Sequence, residues 1–249
     1  MTTPIVEMRG IEKSFGAVHA LRNVHFRLDP GEVVGLVGDN SAGKSTLMKI
    51  MTGAYQRDAG DVLVAGEPTH FRSPQDSRDR GIEMIYQDFA LCGNMDVGQN
   101  IFLGRWPRRF GLFVDRERMY READAVLKKL KVDVNSVYAK VESLSGGRQQ
   151  SVAIARAISF EPRVIVFDEP TANLSVMATN RLLETMSELK AHGVAQIIIS
   201  HRLTDIFEVG DRVVVLKRGQ NVGERRIRET SEREVLELIV SGVPETAAA

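Results

Sequence analysis

The chain reads Gly38-Asp39-Asn40-Ser41-Ala42-Gly43-Lys44-Ser45 after an apolar, β-branched run at 33–37 and before a predicted helix start at 45–50. The stretch has the pattern G-x-x-x-x-G-K-S. In this pattern glycines let backbone N–H groups turn inward, lysine brings a point charge to terminal phosphates, and serine offers a hydroxyl to Mg²⁺. A strand that leads into a helix N-terminus also favours an anion there. We therefore predict a phosphate-binding loop, with a flexible surface loop as the alternative.

Length and charge limit the classes of protein that fit. The 249 residues suffice for one large α/β domain or two small ones. Because 33 basic residues balance 33 acidic ones, nothing favours bulk nucleic-acid binding or electrostatic anchoring to a membrane. Cys92 is the single cysteine, which fits a reducing compartment, and we interpret it as an apolar filler. No signal peptide or bilayer-spanning run is expected, so we predict a soluble protein that could dock on a membrane partner.

Strand and helix patterns alternate along most of the chain. Apolar runs predict strands at 5–9, 24–28, 33–37, 62–66, 82–86, 163–167, 196–200 and 213–216. Helices are predicted after the phosphate loop and at 73–81, 152–158, 182–189 and 231–240. Residues 88–144 lack strand-like runs, and within them 116–130 has apolar residues at helical spacing. This is the pattern of a mostly helical insert in an α/β core.

Aromatic residues lie among arginines within this insert. Trp106, Phe110 and Phe113 are interleaved with basic residues, a pattern that suggests nucleic-acid binding. Helical packing of the aromatic rings beneath a charged surface explains the same pattern. We favour the packing interpretation and predict no nucleic-acid partner.

Polar residues follow three of the predicted strands, and the phosphate loop follows a fourth. Because ligands gather at the carboxyl ends of strands in an open α/β sheet, Gln87, Asp168-Glu169 and His201 are expected to converge on one nucleotide. Asp168 suits the Mg²⁺ shell, whereas Glu169, one residue later, would point the other way and polarise an attacking water. His201 would hydrogen-bond the γ-phosphate, and Gln87 would touch both metal and water. Each residue alone is more often structural, but their combination with the loop predicts catalysis.

In these residues the chain resembles the ATP-binding-cassette (ABC) ATPases from about residue 5 to residue 240. The resemblance lies in 38–45 (Walker A), Gln87 (Q-loop), 144–149 (signature), 164–169 (Walker B) and His201 (H-loop). A Ser-Gly-Gly signature before a helix is the most specific of these motifs. The resemblance implies an α/β fold, with a P-loop NTPase (RecA-like) core, an antiparallel β subdomain and an inserted helical subdomain.

The resemblance also implies how the chain is divided and which residues act. A single ABC ATPase domain would cover 1–249, with its core in 1–87 and 156–242, a helical signature subdomain in 88–155 and a tail in 243–249. Catalysis would use Glu169, His201 and Gln87, and Mg²⁺ would bind Ser45, Gln87 and Asp168. The residues expected to bind ATP are Phe15 (stacked on adenine), Gly38, Asp39, Asn40, Ser41, Ala42, Gly43, Lys44, Ser45, Thr46, Ser145, Gly146 and Gly147.

The signature implies a second cassette. By the resemblance, Ser145 and Gly147 bind the γ-phosphate of ATP held by that cassette. The physics fits, because a helix N-terminus with exposed glycine amides is an anion site. This chain has one Walker A and one signature, so it needs a partner, expected to be a second copy, to complete either site.

Narrower motifs resemble the single-cassette ATPases of bacterial sugar importers of the ribose and fructose kind. They are Gly38-Asp39-Asn40, 100–105, 169–174 and the run 199–213. Such importers imply transmembrane permease subunits, a periplasmic sugar-binding protein and a peripheral location on the cytoplasmic face of the bacterial inner membrane. The sugar assignment rests on analogy. The alternatives are the ATPase of another ABC transporter (amino acid, lipid or export), a soluble cassette acting on ribosomes or DNA, and a non-hydrolysing binding module.

Three positions depart from the ABC pattern. Ser41 stands where the family usually has glycine; if that position needs φ > 0, serine costs on the order of 1 kcal/mol or more and lowers nucleotide affinity. Arg148 replaces the commoner glutamine after the signature glycines, with no expected effect. Ser175 stands where most cassettes have an aspartate that helps couple the paired sites, and we interpret it as a trait of the sugar group.

Overall fold

Two sheets carry the strand-like runs in the computed structural model, which describes residues 3–130, 132, 134–172 and 174–242. The antiparallel sheet contains β1 (Val6–Phe15), β2 (Val18–Leu28), β4 (Ala59–Val64) and β5 (Glu67–Thr69), in the order β2-β1-β4-β5. The main sheet contains β3 (Val33–Val37), β6 (Ile82–Ile85), β9 (Val164–Asp168), β10 (Ala195–Ile199), β11 (Arg212–Lys217) and β12 (Gln220–Arg226), in the order β12-β11-β3-β10-β9-β6. Its strands are parallel except β12. The predicted tail 243–249 and Asn173 of the sugar-group motif lie outside the described residues.

Helices cover the main sheet and form most of the region between β6 and β9. Within the described ranges they are α1 (Lys44–Met51), α2 (Pro74–Asp79), α3 (Val97–Ile101), α4 (Arg116–Lys129), α5 (Gly146–Ile158), α6 (Val176–Ala191), α7 (Leu203–Val209) and α8 (Glu232–Ser241), with 3₁₀ turns at Val141–Ser143 and Ile227–Glu229. None of these helices is long and apolar enough to cross a membrane. A short hairpin, β7 (Arg108–Arg109) and β8 (Phe113–Val114), also lies in the region where no strand was predicted, so that prediction is wrong there.

The main sheet is buried on both faces because its central strands β3, β9 and β10 are apolar apart from Gln196 and the terminal Asp168. In β3, Val34 and Leu36 pack with the antiparallel sheet, whereas Val33 and Val37 pack on the opposite face with α6 and α7. Phe167 of β9 is fully buried in the apolar cluster on the face that α6 and α7 cover. Burying one such side chain contributes about 1.5–3 kcal/mol. This two-sided burial fixes the strand register, and with it the positions of the residues that follow each strand.

Besides the apolar clusters on the two faces of the main sheet, a third apolar cluster lies in the predicted helical insert. Its members come from α3, α4 and α5 and the turn before α5, and they are Val97, Ile101, Phe102, Met119, Ala123, Leu127, Val141, Leu144, Val152 and Ala155. The predicted boundary at 155 falls inside α5, which continues to Ile158. Ile154 and Ala157 of the same helix pack against the main sheet instead. Helix α5 therefore joins the two clusters, and the division of the chain at 88–155 stays a prediction.

Candidate functional site

Four parallel strands end at the same edge of the main sheet. Ile199 of β10 lies opposite both Leu36 of β3 and Asp168 of β9, and Ile85 of β6 lies opposite Phe167 of β9. The segments that follow these strands are the phosphate loop at 38–43, Gln87, Asp168 with Glu169, and His201. The structure therefore places every strand-end residue singled out in the sequence along one edge, which the parallel pairing requires.

Two glycines of the phosphate loop occupy places where a side chain would clash. Gly38 has φ of 145°, and a Cβ there would lie 2.0 Å from the carbonyl oxygen of Leu216. Gly43 has φ of 99°, and its Cβ would meet the carbonyl oxygen of Ala20 at 2.8 Å. Gly43 is also the N-cap of α1 and provides no side-chain hydrogen bond to it. The first N–H groups of α1 are thus left to an anion, as in a phosphate loop.

Lys44 lies across this loop rather than in solvent. Its Nζ donates hydrogen bonds to the carbonyl oxygens of Gly38 at 2.7 Å and Asp39 at 2.8 Å. Burial lowers the pKa of Lys44 from its ordinary value, and the nearby charges of Glu169, Asp39 and Asp168 oppose that shift. The ammonium group is therefore held at the loop, facing the carboxylates at the end of β9.

The remaining loop residues differ in their exposure to solvent. Asp39, Asn40 and Ser41 are exposed, Ala42 is buried, and Ser45 in the first turn of α1 is exposed beside half-buried Thr46. Ser41 lies outside the left-handed region of backbone conformation. The condition for strain at this departure from the ABC pattern is therefore not met.

Asp168 and Glu169 differ in backbone conformation. Asp168 ends β9, whereas Glu169 has φ of 49°, in the left-handed region that disfavours residues with a side chain. The alternation of side chains along a strand was expected to make the side chains of Asp168 and Glu169 point in opposite directions. Glu169 lies beyond the end of β9, however, so its left-handed backbone sets the direction of its side chain instead. Such outliers cost about 1–3 kcal/mol and cluster at functional sites. Burial raises the pKa of Asp168, opposed by Lys49 and Lys44.

Glu169 and His201 form the centre of the strand-end cluster. Glu169 Oε2 accepts a hydrogen bond from the His201 backbone N–H at 3.4 Å, and Oε1 lies 3.0 Å from His201 Nε2. The contact between Oε1 and Nε2 does not have the geometry of a hydrogen bond, so the buried Oε1 atom has no hydrogen-bond partner among the described residues. Burial raises the pKa of Glu169, and the neighbouring His201 opposes that rise. A desolvated carboxylate with one oxygen that accepts no hydrogen bond is suited to accept a proton from water.

Phe15 and Gln87 are both exposed. Phe15 ends β1, is 45% exposed, and packs edge to face on Tyr55 with ring centroids 5.4 Å apart. An aromatic ring this open can stack on a base. Gln87 is exposed two residues beyond β6.

The donor set at the edge fits Mg²⁺. Magnesium binds proteins through one or two carboxylates and hydroxyls while it keeps waters and substrate phosphates as its other ligands. Asp168 offers a partly desolvated carboxylate and Ser45 an exposed hydroxyl. Within the described residues there is no group of three or more His, Cys, Asp or Glu side chains that could hold a metal alone.

The signature residues lie in a separate cleft. Ser145 is the N-cap of α5, is exposed, and makes no side-chain cap hydrogen bond, and Gly146 beside it is also exposed. They line a cleft of about 680 Å³ between α5 and α6, which also includes Gly147 and Ser175. The structure does not bring these residues into the strand-end cluster.

Sequence reasoning missed two side chains that connect these parts. Arg156 of α5 donates to the carbonyl oxygens of Phe89 and Ala90, both at 2.7 Å, just after Gln87. Gln150 of α5 donates to the Pro170 carbonyl at 2.7 Å. No spacing rule indicates these contacts, because both acceptors are backbone atoms of irregular segments distant in sequence.

Comparison with known proteins assigns the family. A family model described as ABC transporter matches residues 21–172. The chain belongs to this family. The cassette is 42% identical, over 95% of its length and 94% of the relative's, to the xylose/arabinose import ATP-binding protein XylG of Sulfolobus acidocaldarius. It is 45% identical to the ribose import ATP-binding protein RbsA of Chromobacterium violaceum over 94% of its own length, but spans only 47% of that relative.

Solved structures agree with the family assignment. A nucleotide-free ATP-binding cassette from an ABC transporter matches with a TM-score of 0.82 at 28% identity, covering 96% of this chain and 95% of that one. A dimeric post-hydrolysis state of the cassette MJ0796 bound to ADP and Pi matches with a TM-score of 0.78 at 25% identity, over 90% of this chain and 100% of that one. The predicted ABC resemblance and the predicted fold class are confirmed, and nucleotide binding follows from the family.

Proposed function

We propose that the cassette hydrolyses ATP at the strand-end edge and that this hydrolysis energises sugar import through a membrane permease. The observation that carries the catalytic part is Glu169, which is half-buried, has a raised pKa and has no hydrogen-bond partner for Oε1 among the described residues. It lies on the same sheet edge as Lys44, Asp168 and His201. Groups with such perturbed pKa values next to a phosphate loop are candidates for general bases.

The arrangement supports a mechanism in which positioning and charge do most of the work. Backbone N–H groups of 38–43 and the Lys44 ammonium would hold the phosphates. Asp168 and Ser45 would hold the metal, with Gln87 as a further ligand. Bound Mg²⁺ would supply charge neutralisation at the phosphate oxygens. Glu169 accepts a proton from the attacking water, and His201 steadies Glu169 through its backbone N–H and contacts the γ-phosphate.

A second copy completes each ATP site in this proposal. The exposed Ser145 and the glycine amides at the start of α5 form an anion site apart from the chain's own phosphate loop. A facing cassette with bound ATP supplies the missing anion. The dimeric state of the MJ0796 cassette supports such a pair. The permease would hold the pair on the cytoplasmic face of a bacterial inner membrane, with a periplasmic sugar-binding protein acting indirectly.

The names of relatives support sugar as the transported substrate. Both reported relatives are import ATP-binding proteins, one for xylose and arabinose and one for ribose. The sugar assignment rests on these names and not on any residue singled out in the chain, so an ATPase for another ABC transporter is the alternative. Neighbouring genes for a permease and a periplasmic sugar-binding protein would favour sugar import, whereas a permease of the amino-acid or export class would contradict it.

Replacement of Glu169 by Gln tests the catalytic proposal. We expect Glu169→Gln to retain ATP binding, to lose at least about a hundredfold in hydrolysis rate because proton acceptance is gone, and to trap a closed dimer with ATP. Nucleotide binding, phosphate release and light scattering measure these outcomes. The exposed Glu208, on α7, provides the control variant Glu208→Gln, which should hydrolyse ATP normally. Full turnover in Glu169→Gln would contradict the assignment of the base.

A further inference from the structure

The hairpin at 105–116 presents apolar side chains that nothing in the described chain covers. Phe110 is 84% exposed, Leu112 82% and Phe113 70%, and they lie at or next to the turn between β7 and β8. A Cβ added at Gly111 would meet no atom within 4 Å, so the tip projects freely. The packing interpretation favoured from the sequence is right for Trp106, which packs on the helical cluster, and wrong for Phe110 and Phe113.

Basic side chains surround this apolar tip. The stretch 105–121 contains six arginines and two acidic residues, although the whole chain has no net charge. Arg108 and Arg109, in β7, are exposed and form no ion pair with any described residue. The guanidinium of Arg109 lies 5.5 Å from the ring centre of Phe110. The tip thus combines uncompensated positive charge with three exposed apolar side chains.

We propose that the hairpin binds the anionic lipid headgroups of the membrane surface and inserts Phe110, Leu112 and Phe113 into the interface. The inference rests on the proposed membrane location of the cassette. Apolar side chains enter the boundary between headgroups and acyl chains, while flanking arginines pair with anionic lipids. A narrow projecting tip suits a deformable lipid surface, because it needs no preformed groove. Contiguous exposed apolar surface on a protein otherwise signals a binding site.

Sedimentation with vesicles tests this proposal on the full chain. We expect binding to vesicles that contain one quarter phosphatidylglycerol in phosphatidylcholine, and weak binding to phosphatidylcholine alone. Arg108→Gln with Arg109→Gln should lower the partition coefficient about 25-fold, at about fivefold per arginine. Phe110→Ser with Phe113→Ser should lower it at least about tenfold. ATPase activity and the emission of the single tryptophan, Trp106 at the hairpin base, should stay unchanged and verify the fold.

Matched control variants separate the hairpin from general charge and apolarity. Arg226→Gln with Arg228→Gln removes two exposed arginines elsewhere, and Val240→Ser removes an apolar side chain that is 70% exposed on α8. Both controls should bind vesicles like the wild type. Equal binding by wild type and hairpin variants, or no binding by the wild type, would overturn the proposal. Hairpin variants that bind vesicles normally but no longer copurify with a permease would also overturn it, in favour of a protein contact. Intact ATPase activity throughout keeps these results separate from the catalytic proposal.

Discussion

Glu169 carries two local costs at once, which is expected of a side chain held for chemistry rather than stability. Its backbone φ of 49° is unfavourable for a residue with a Cβ, and its carboxylate is largely removed from water. Its neighbour Asp168 is also partly desolvated, but it keeps an ordinary strand backbone. Glu169, the proposed base, is therefore the more strained of the two, and this strain should appear in the stability of the protein.

The pH dependence of stability follows from the raised pKa of Glu169. The carboxyl group of Glu169 binds its proton more tightly in the folded protein than in the unfolded chain. Its ionisation therefore lowers the free energy of unfolding as the pH rises from the ordinary pKa of glutamate through the raised pKa. Glu169→Gln escapes this loss, so its Tm should exceed that of the wild type at pH 8, and the difference should shrink toward pH 5. Each kcal/mol recovered raises Tm by about 2–4 °C.

Thermal unfolding of wild type, Glu169→Gln and the exposed control Glu208→Gln across this pH range checks the prediction. The control should differ from the wild type by a small amount that does not vary with pH. A Glu169→Gln profile parallel to that of the wild type would show that burial of the carboxylate carries no cost.

At this scale the sequence predicts the positions of Gln87, Asp168 and His201 but not their surroundings. Those positions follow from the ends of apolar runs, which burial on two faces fixes. The left-handed conformation of Glu169 depends on how 168–172 turns against β10, through the hydrogen bond from the Glu169 N–H to the Ile199 carbonyl. That contact spans thirty positions of chain, so local spacing carries no signal for it.

Helix α5 connects the signature to the segment after Gln87. Its N-terminus carries Ser145 and Gly147 at the cleft, and near its other end Arg156 holds the carbonyls of Phe89 and Ala90. Both of these residues have positive φ, at 58° and 45°. A planar guanidinium with two donors suits this double acceptance. Arg156 is therefore a positioning residue that fixes the backbone beyond Gln87.

Arg156→Lys tests this positioning role. Lysine is expected to reach one carbonyl and leave the half-buried Phe89 oxygen without its donor, which costs about 1–2 kcal/mol of stability. Hydrogen exchange should rise at 88–91 and stay unchanged at the phosphate loop. The control Arg118→Lys alters an exposed pair with Glu122 on α4 and should change stability by less than about 1 kcal/mol. Unchanged exchange at 88–91 in Arg156→Lys would contradict the positioning role.

The elements that sequence reasoning missed share a lack of apolar periodicity. Strand β12 is mostly exposed and polar, and it exists because it pairs with the buried β11. Strand β1 continues to Phe15, well beyond the apolar run at 5–9, through an irregular register with β2. Tertiary pairing forms such strands, and propensity alone does not indicate them. The long helix α4 was predicted over its whole length from the helical spacing of Ala123, Val126, Leu127 and Leu130. In the structure Ala123 and Leu127 are buried together with Met119.

At the scale of the whole molecule, the two halves of the proposed ATP site lie on different surfaces of one chain. The strand-end edge carries Lys44 and Glu169, and the cleft between α5 and α6 carries Ser145. Exposed Ser145 is free to meet a facing copy, since its side chain caps nothing in its own helix. An isologous pair would place each signature opposite the partner's phosphates and would form two composite sites at once.

Mixing two inactive variants tests this composite site. Lys44→Ala removes the phosphate ammonium, and Ser145→Arg blocks the signature cleft with a large side chain, so each variant alone should lose ATPase activity. In an equal mixture, half of the dimers contain one copy of each variant. In such a dimer one site combines the intact phosphate loop of the Ser145→Arg copy with the intact signature of the Lys44→Ala copy, so about a quarter of wild-type activity should return. Phosphate release measured against the mixing ratio should peak at equal amounts. Activity that stays at the level of the separate variants would contradict sites shared between copies, whereas Ser145→Arg active on its own would place ATP hydrolysis within one chain.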